Sequence, residues 1–133
     1  NGASLHAGVP GSAWVSIFGR GLAASTRSWN EADFTAAGGS MPTALDGVSV
    51  RLNGQALPLA YVSPGQLNVL APEATADGTA QLTVTSASGM SDPVSVAVKR
   101  LMPAFFQLPE DNVVAVRADG SLAAPRGLFA GVT

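Results

Sequence analysis

The segment Tyr61-Val-Ser-Pro-Gly-Gln-Leu-Asn-Val-Leu-Ala-Pro72 constrains the fold more than any other stretch, because it sets a strand, a turn and a second strand side by side. Ser63-Pro-Gly-Gln66 puts Pro and Gly where the middle of a type II turn wants them, and Pro72 stops the run over 67–70. The same grammar recurs along the chain. Trp14-Val-Ser-Ile-Phe-Gly19 is a β-rich run in which Val15 and Ile17 share a face and Gly19 ends the strand. Val48-Ser-Val-Arg-Leu52 alternates, so Val48, Val50 and Leu52 face one way. Asn53-Gly54 then signals a hairpin, with 57–62 as its return strand.

Asp77-Gly78 predicts a further turn into Ala80-Gln-Leu-Thr-Val-Thr85, and Ser88-Gly89 turns the chain into Val94-Ser-Val-Ala-Val98. Strands spaced about 10 residues apart, with turn signals between them, favour a sandwich or barrel over any βαβ arrangement. The exception is 22–44, the longest irregular stretch. Within it Ser28-Trp-Asn-Glu31 has capping-box spacing and Gly38-Gly39 follows, which predicts one short helix over about 29–37. After Met102-Pro103 the texture changes. Phe105-Phe106 is an apolar pair, and Asn112-Val-Val-Ala-Val-Arg117 followed by Ala118-Asp-Gly-Ser121 reads as a strand and hairpin turn. The expected division is a sandwich over 1–102 and, over 103–133, an appended ribbon or the start of an inter-domain connection.

Composition narrows the function. The chain has 133 residues, 47% hydrophobic and 12% charged, enough for one well-filled domain and far from a disordered tail. Its net charge is −2, and Arg20, Arg27, Arg51, Arg100, Arg117 and Arg126 are widely spaced. Without a basic stripe there is nothing to release counterions, so nucleic acid is not an expected partner. The chain holds no Cys, which removes disulfides, thiolate metal sites and thiol catalysis. No apolar run approaches the roughly 18 residues a membrane span needs. The start at Asn1, without Met or a signal-type segment, reads as a piece of a longer protein.

Several longer phrases resemble one family in order. They are Trp14-Val-Ser-Ile-Phe-Gly19, Thr26-Arg-Ser-Trp29, Ala32-Asp-Phe34, Pro42-Thr-Ala-Leu-Asp-Gly-Val-Ser-Val50, the run from Tyr61 to Pro72, Pro103-Ala-Phe-Phe106 and Ala118-Asp-Gly-Ser121. Together they resemble the acidobacterial Solibacter uncharacterised C-terminal domain family over nearly the whole chain. The resemblance implies an all-β, immunoglobulin-like (IPT/TIG-like) antiparallel sandwich near the C-terminus of large exported proteins, secreted or at the cell surface. It supplies no catalytic residue. Family members continue past a Gly-Val-Thr like 131–133 into another turn and strand; that continuation is missing here, which implies trimming inside a multi-domain protein.

The chemistry-bearing residues point the same way. His6 is the lone imidazole, in a polar N-terminal lead, and no nucleophile elbow, phosphate loop or HExxH accompanies it. The acids are dispersed, with Asp46, Asp77 and Asp119 each before Gly, as turn chemistry asks. Glu110-Asp111-Asn112 lacks the spacing of a calcium loop. Neither a catalytic set nor a cofactor is expected, and no side chains are assigned to a metal, while a hard-metal site built from loop carbonyls stays open. Trp29, Trp14 and Tyr61 are the candidate ligand-binding residues, as rings on which sugars stack, against the plainer role of plugging the irregular segment onto the sandwich. Their i, i+5 spacing keeps Trp29 and Phe34 off one helical face, which weighs slightly against a single plug. Gln66 and Asn68 are expected to tie down neighbouring backbone groups. The leading expectation is a non-enzymatic spacer, stalk or adhesion module whose partners are neighbouring domains or another surface protein. The alternative is a carbohydrate-binding module for polysaccharide.

Overall fold

A computed structural model describes residues 7–74, 76–101, 107–108, 112–113 and 118. In chain order the elements are β1 (Val9–Pro10), β2 (Trp14–Phe18), β3 (Arg27–Ser28), α1 (Glu31–Ala36), β4 (Ala44–Leu45), β5 (Val48–Leu52) and β6 (Gln55–Ala56). They continue as β7 (Leu59–Val62), β8 (Gln66–Leu70), β9 (Gly78–Ser86), β10 (Gly89–Met90), β11 (Val94–Lys99), β12 (Gln107–Leu108) and β13 (Asn112–Val113). The fold is an all-β sandwich. One sheet runs β1-β11-β9-β5-β4, with β10 and β6 as short partners of β9 and β5; the other runs β2-β8-β7-β3. Pairing is antiparallel throughout both sheets except between β1 and β11.

The expected strands at 14–18, 48–52, 67–70, 80–85 and 94–98 all form. Their alternation builds the core: Val48, Val50 and Leu52 from one sheet are buried with Val15, Leu67 and Val69 from the other. Leu59, Val62 and Leu67 are fully enclosed, and each such side chain contributes about 1.5–3 kcal/mol by leaving water. No polar or charged residue is buried among the described residues. No helix among them is long and apolar enough to cross a membrane.

Three turn and strand expectations need correction. Asn53 and Gly54 do turn the chain, with left-handed φ of 48° and 81°, as a two-residue hairpin of this hand requires. The return strand, however, is only β6. Pro58 has no N–H to continue the ladder, and its carbonyl already accepts from Leu70 in the other sheet, so 59–62 crosses over as β7. The turn at 63–66 is not type II, since Gly65 is not left-handed. Ser63 closes it instead, its hydroxyl accepting from the Gln66 N–H at 2.9 Å. At Asp77-Gly78 there is no tight turn: β9 begins at Gly78, and the Asp77 side chain reaches across to the end of β11.

The stretch 22–44 is more ordered than its sequence suggests, because β3 pairs with β7 inside it. That pairing occupies Ser28, so the capping box moves on two residues. Asn30 is the N-cap: its side chain accepts from the Ala32 and Asp33 N–H groups, and Asp33 accepts from the Asn30 N–H at 2.8 Å. Gly38 and Gly39, with φ of 68° and 85°, end the helix as C-terminal glycines do. Beyond Leu101, β12 and β13 pair with each other as a small ribbon. His6, Phe105-Phe106, Glu110-Asp111 and Asp119-Gly120 lie outside the described residues, as do 114–117 of the strand expected over 112–117.

Candidate interaction surface on the four-stranded sheet

The outer face of β2-β8-β7-β3 collects the aromatic candidates. Val15 points inward on β2, so Trp14 and Phe18 point outward and remain 42% and 63% exposed. A row in register, Ser16–Asn68–Tyr61–Ser28, crosses all four strands. Tyr61 reaches this face through an irregularity. Leu59 pairs with Val69 and Tyr61 with Asn68, so Ala60 is an extra residue that turns Tyr61 away from the core side taken by Leu59. Simple alternation would have put Leu59 and Tyr61 on one face.

Trp14 and Trp29 meet at 5.6 Å between ring centroids with their planes 78° apart, and Trp29 meets Phe34 at 4.9 Å and 60°. The two indoles therefore form an edge-to-face pair and not a flat platform. Trp29 is half-buried against the core, and its backbone N–H donates to the Ala60 carbonyl at 2.9 Å. It precedes the helix, so the helical-face argument about Trp29 and Phe34 does not apply; the turn into α1 brings the rings together. Tyr61 makes no ring contact among the described residues. Among the described residues the Gln66 and Asn68 side chains bind each other and not the backbone: the Gln66 side-chain amide donates to Asn68 Oδ1 at 2.8 Å.

Beside this face lies an ionic cluster that sequence reading missed. Arg27 on β3 donates from Nη1 and Nη2 to both Asp33 oxygens at 2.8 and 3.0 Å, and from Nε to Asp46 at 2.8 Å. The Ser25 hydroxyl donates to the other Asp46 oxygen at 2.5 Å. One guanidinium thus ties three elements together: β3, the start of α1 and the β4–β5 turn. The Arg27 fork holds the Asp33 carboxyl below its ordinary range, helped by the Asn30 N–H. For Asp46 the Ser25 hydroxyl acts most strongly, then Arg27. Arg27 is itself pushed up, chiefly by its bonds to Asp33 and then to Asp46. Asp46-Gly47 carried the turn signal, but nothing in its spacing announced this second role.

A second fastening joins the start of β9 to the end of β11. Asp77 accepts from the Arg100 backbone N–H at 2.9 Å and from Lys99 Nζ at 3.0 Å, which lower its carboxyl in that order. Between β2 and β11 runs an apolar groove of about 430 Å³, with Phe18 and Val94 at its rim and Val15, Leu82 and Val96 in its lining. No ionisable side chain is among the described residues that line it. Among the described residues no three His, Cys, Asp or Glu side chains converge as a metal set. No family model, curated protein or solved structure matches this chain.

Proposed function

We propose that this chain is a non-enzymatic structural or interaction module, an immunoglobulin-like sandwich of the IPT/TIG kind serving as spacer, stalk element or adhesion surface of a larger exported bacterial protein. The strand order supports the immunoglobulin-like reading. β2-β8-β7 occupy the places of strands B-E-D, and β11-β9-β5 those of G-F-C, with the chain crossing between sheets at the same points. On this reading β3, α1 and β4 are an insertion in the B–C connection. The sequence phrases that resemble the Solibacter family bring with them the extracytoplasmic location and the partners, neighbouring domains or another surface protein.

One observation carries the non-enzymatic reading: three of the described aspartates are spent on the fold. Asp33 and Asp46 are both engaged by Arg27, and Asp77 by Arg100 and Lys99. A general acid or base needs a pKa brought near the working pH, and all three are moved the other way. Incubation with ester, glycoside and peptide substrates should give no turnover. Turnover that disappears in Asp33→Asn or Asp46→Asn would make this an enzyme.

The carbohydrate reading has one observation of its own: the row Ser16–Asn68–Tyr61–Ser28 beside the exposed Trp14 is polar, aromatic and uncharged, as a neutral glycan surface demands. Since Trp29 is the more enclosed indole, Trp14→Ala is the informative variant. Retardation of the wild type by one polysaccharide in affinity gels, lost in Trp14→Ala, would replace the spacer reading.

A further inference from the structure

The segment between β3 and β4 is attached differently from the rest of the molecule. Helix α1 has six residues, none of them buried, and a helix that short does not persist without external support. Its support comes from the capping box, the Trp29–Phe34 contact and the Arg27 fork. We propose that the Arg27 bridge is an acid-releasable latch on this segment, whose opening withdraws Phe34 from Trp29 while both sheets stay folded.

The charges facing one another across the latch are few. β3 contributes Arg27, α1 contributes Asp33 and the β4–β5 turn contributes Asp46; Ser25 and Asn30 add uncharged donors. Asp33 and Asp46 are close enough to repel each other, so Arg27 serves both as fastener and as the charge that permits their approach. Protonating either carboxylate ends its ion-pair attraction to Arg27 and leaves the guanidinium facing a neutral, weaker acceptor. The core offers acid no comparable target, because no polar or charged residue is buried in it among the described residues.

The direction of the pH effect follows from linkage. Both carboxyls are lowered in the folded chain, so their stabilisation is complete above the unfolded value of about 4 and is lost as pH falls through the folded values. The latch is therefore closed at neutral pH and opens only in acid. The Asp77 carboxyl is also lowered by its partners, but it fastens β9 to β11 and is not part of the latch.

The test uses the chain with Trp14→Phe, which leaves Trp29 as the lone indole, titrated from about pH 7 to about pH 2. Emission maximum, acrylamide quenching and far-ultraviolet circular dichroism are followed together. Trp29 emission should shift to the red and quenching should rise in a step that precedes loss of the β signal. Adding Asp33→Asn and Asp46→Asn together should give the red-shifted emission already at neutral pH, with the β signal intact and the acid step gone. Adding Asp77→Asn instead should leave the step in place. A single transition in which emission and circular dichroism coincide would overturn the latch, as would an acid step unchanged by the paired Asp substitutions. If that pair does not fold, the titration of the Trp14→Phe chain decides alone.

Discussion

The sandwich core and the segment between β3 and β4 are held by opposite means. The core is aliphatic: Leu45, Val50, Leu59 and Leu67 are essentially shut off from water. Its cohesion has no charge to titrate and little directionality, so it depends on volume. The segment between β3 and β4 buries no helical residue; the Arg27 fork, a capping box and a stack of rings hold the helix, and backbone bonds from Trp29 to Ala60 and from Leu59 to Pro42 hold the segment's two ends to β7. Its cohesion depends on geometry and protonation. On the latch proposal, acid acts on the segment through Asp33 and Asp46, whereas among the described residues the buried core holds no group to protonate.

The sharpest way to break this contrast is Leu67→Ala. It removes a side chain with no exposed surface, and the cavity should cost about 2–5 kcal/mol in urea unfolding. The fluorescence step of the inserted segment should keep its midpoint in the same variant under conditions where the sheets remain folded. A shift of that midpoint by as much as the global loss would mean that the two regions are one cooperative unit.

Asn30→Ala addresses the other side of the comparison. It deletes the helix cap, which typically costs about 1 kcal/mol, and the cost should fall on the segment more than on the sandwich. Hydrogen exchange should quicken most at the Ala32 amide, which loses its acceptor, less at the Asp33 amide, which keeps the Asn30 backbone carbonyl, and stay unchanged at β5 and β8. Equal acceleration in the strands would remove the distinction between the regions.

The smallest effect is expected at Lys99→Ala. The Lys99–Asp77 pair is about half exposed on both sides, where ion pairs contribute little. The Arg100 N–H stays in place to hold Asp77. Melting temperature should be unchanged at neutral pH and at raised salt. A clear drop would show that this bridge shares the importance of the Arg27 cluster.

The strands of the core were readable because burial imposes a period. Val48, Val50 and Leu52 alternate with polar residues, and Asn-Gly or Asp-Gly marks turns that need left-handed backbone. The candidate surface was only partly readable. Trp14, Trp29 and Tyr61 stood out by type, but their mutual geometry did not. Arg27 looked like one of several scattered arginines, and its partners lie 6 and 19 positions away with no periodic relation to it.

By itself the sequence determined which stretches could be extended, where many of the turns fall and that the class is all-β, because these depend on side chains within a few residues. The tertiary structure decided which sheet 59–62 joins, that an extra residue at Ala60 turns Tyr61 outward, and that Ser28 yields the helix cap to Asn30. It also decided that one arginine gathers two aspartates and that the indoles meet edge to face. Each of these depends on hydrogen-bond partners supplied by strands distant in the chain, and local preference carries no record of which distant strand that will be.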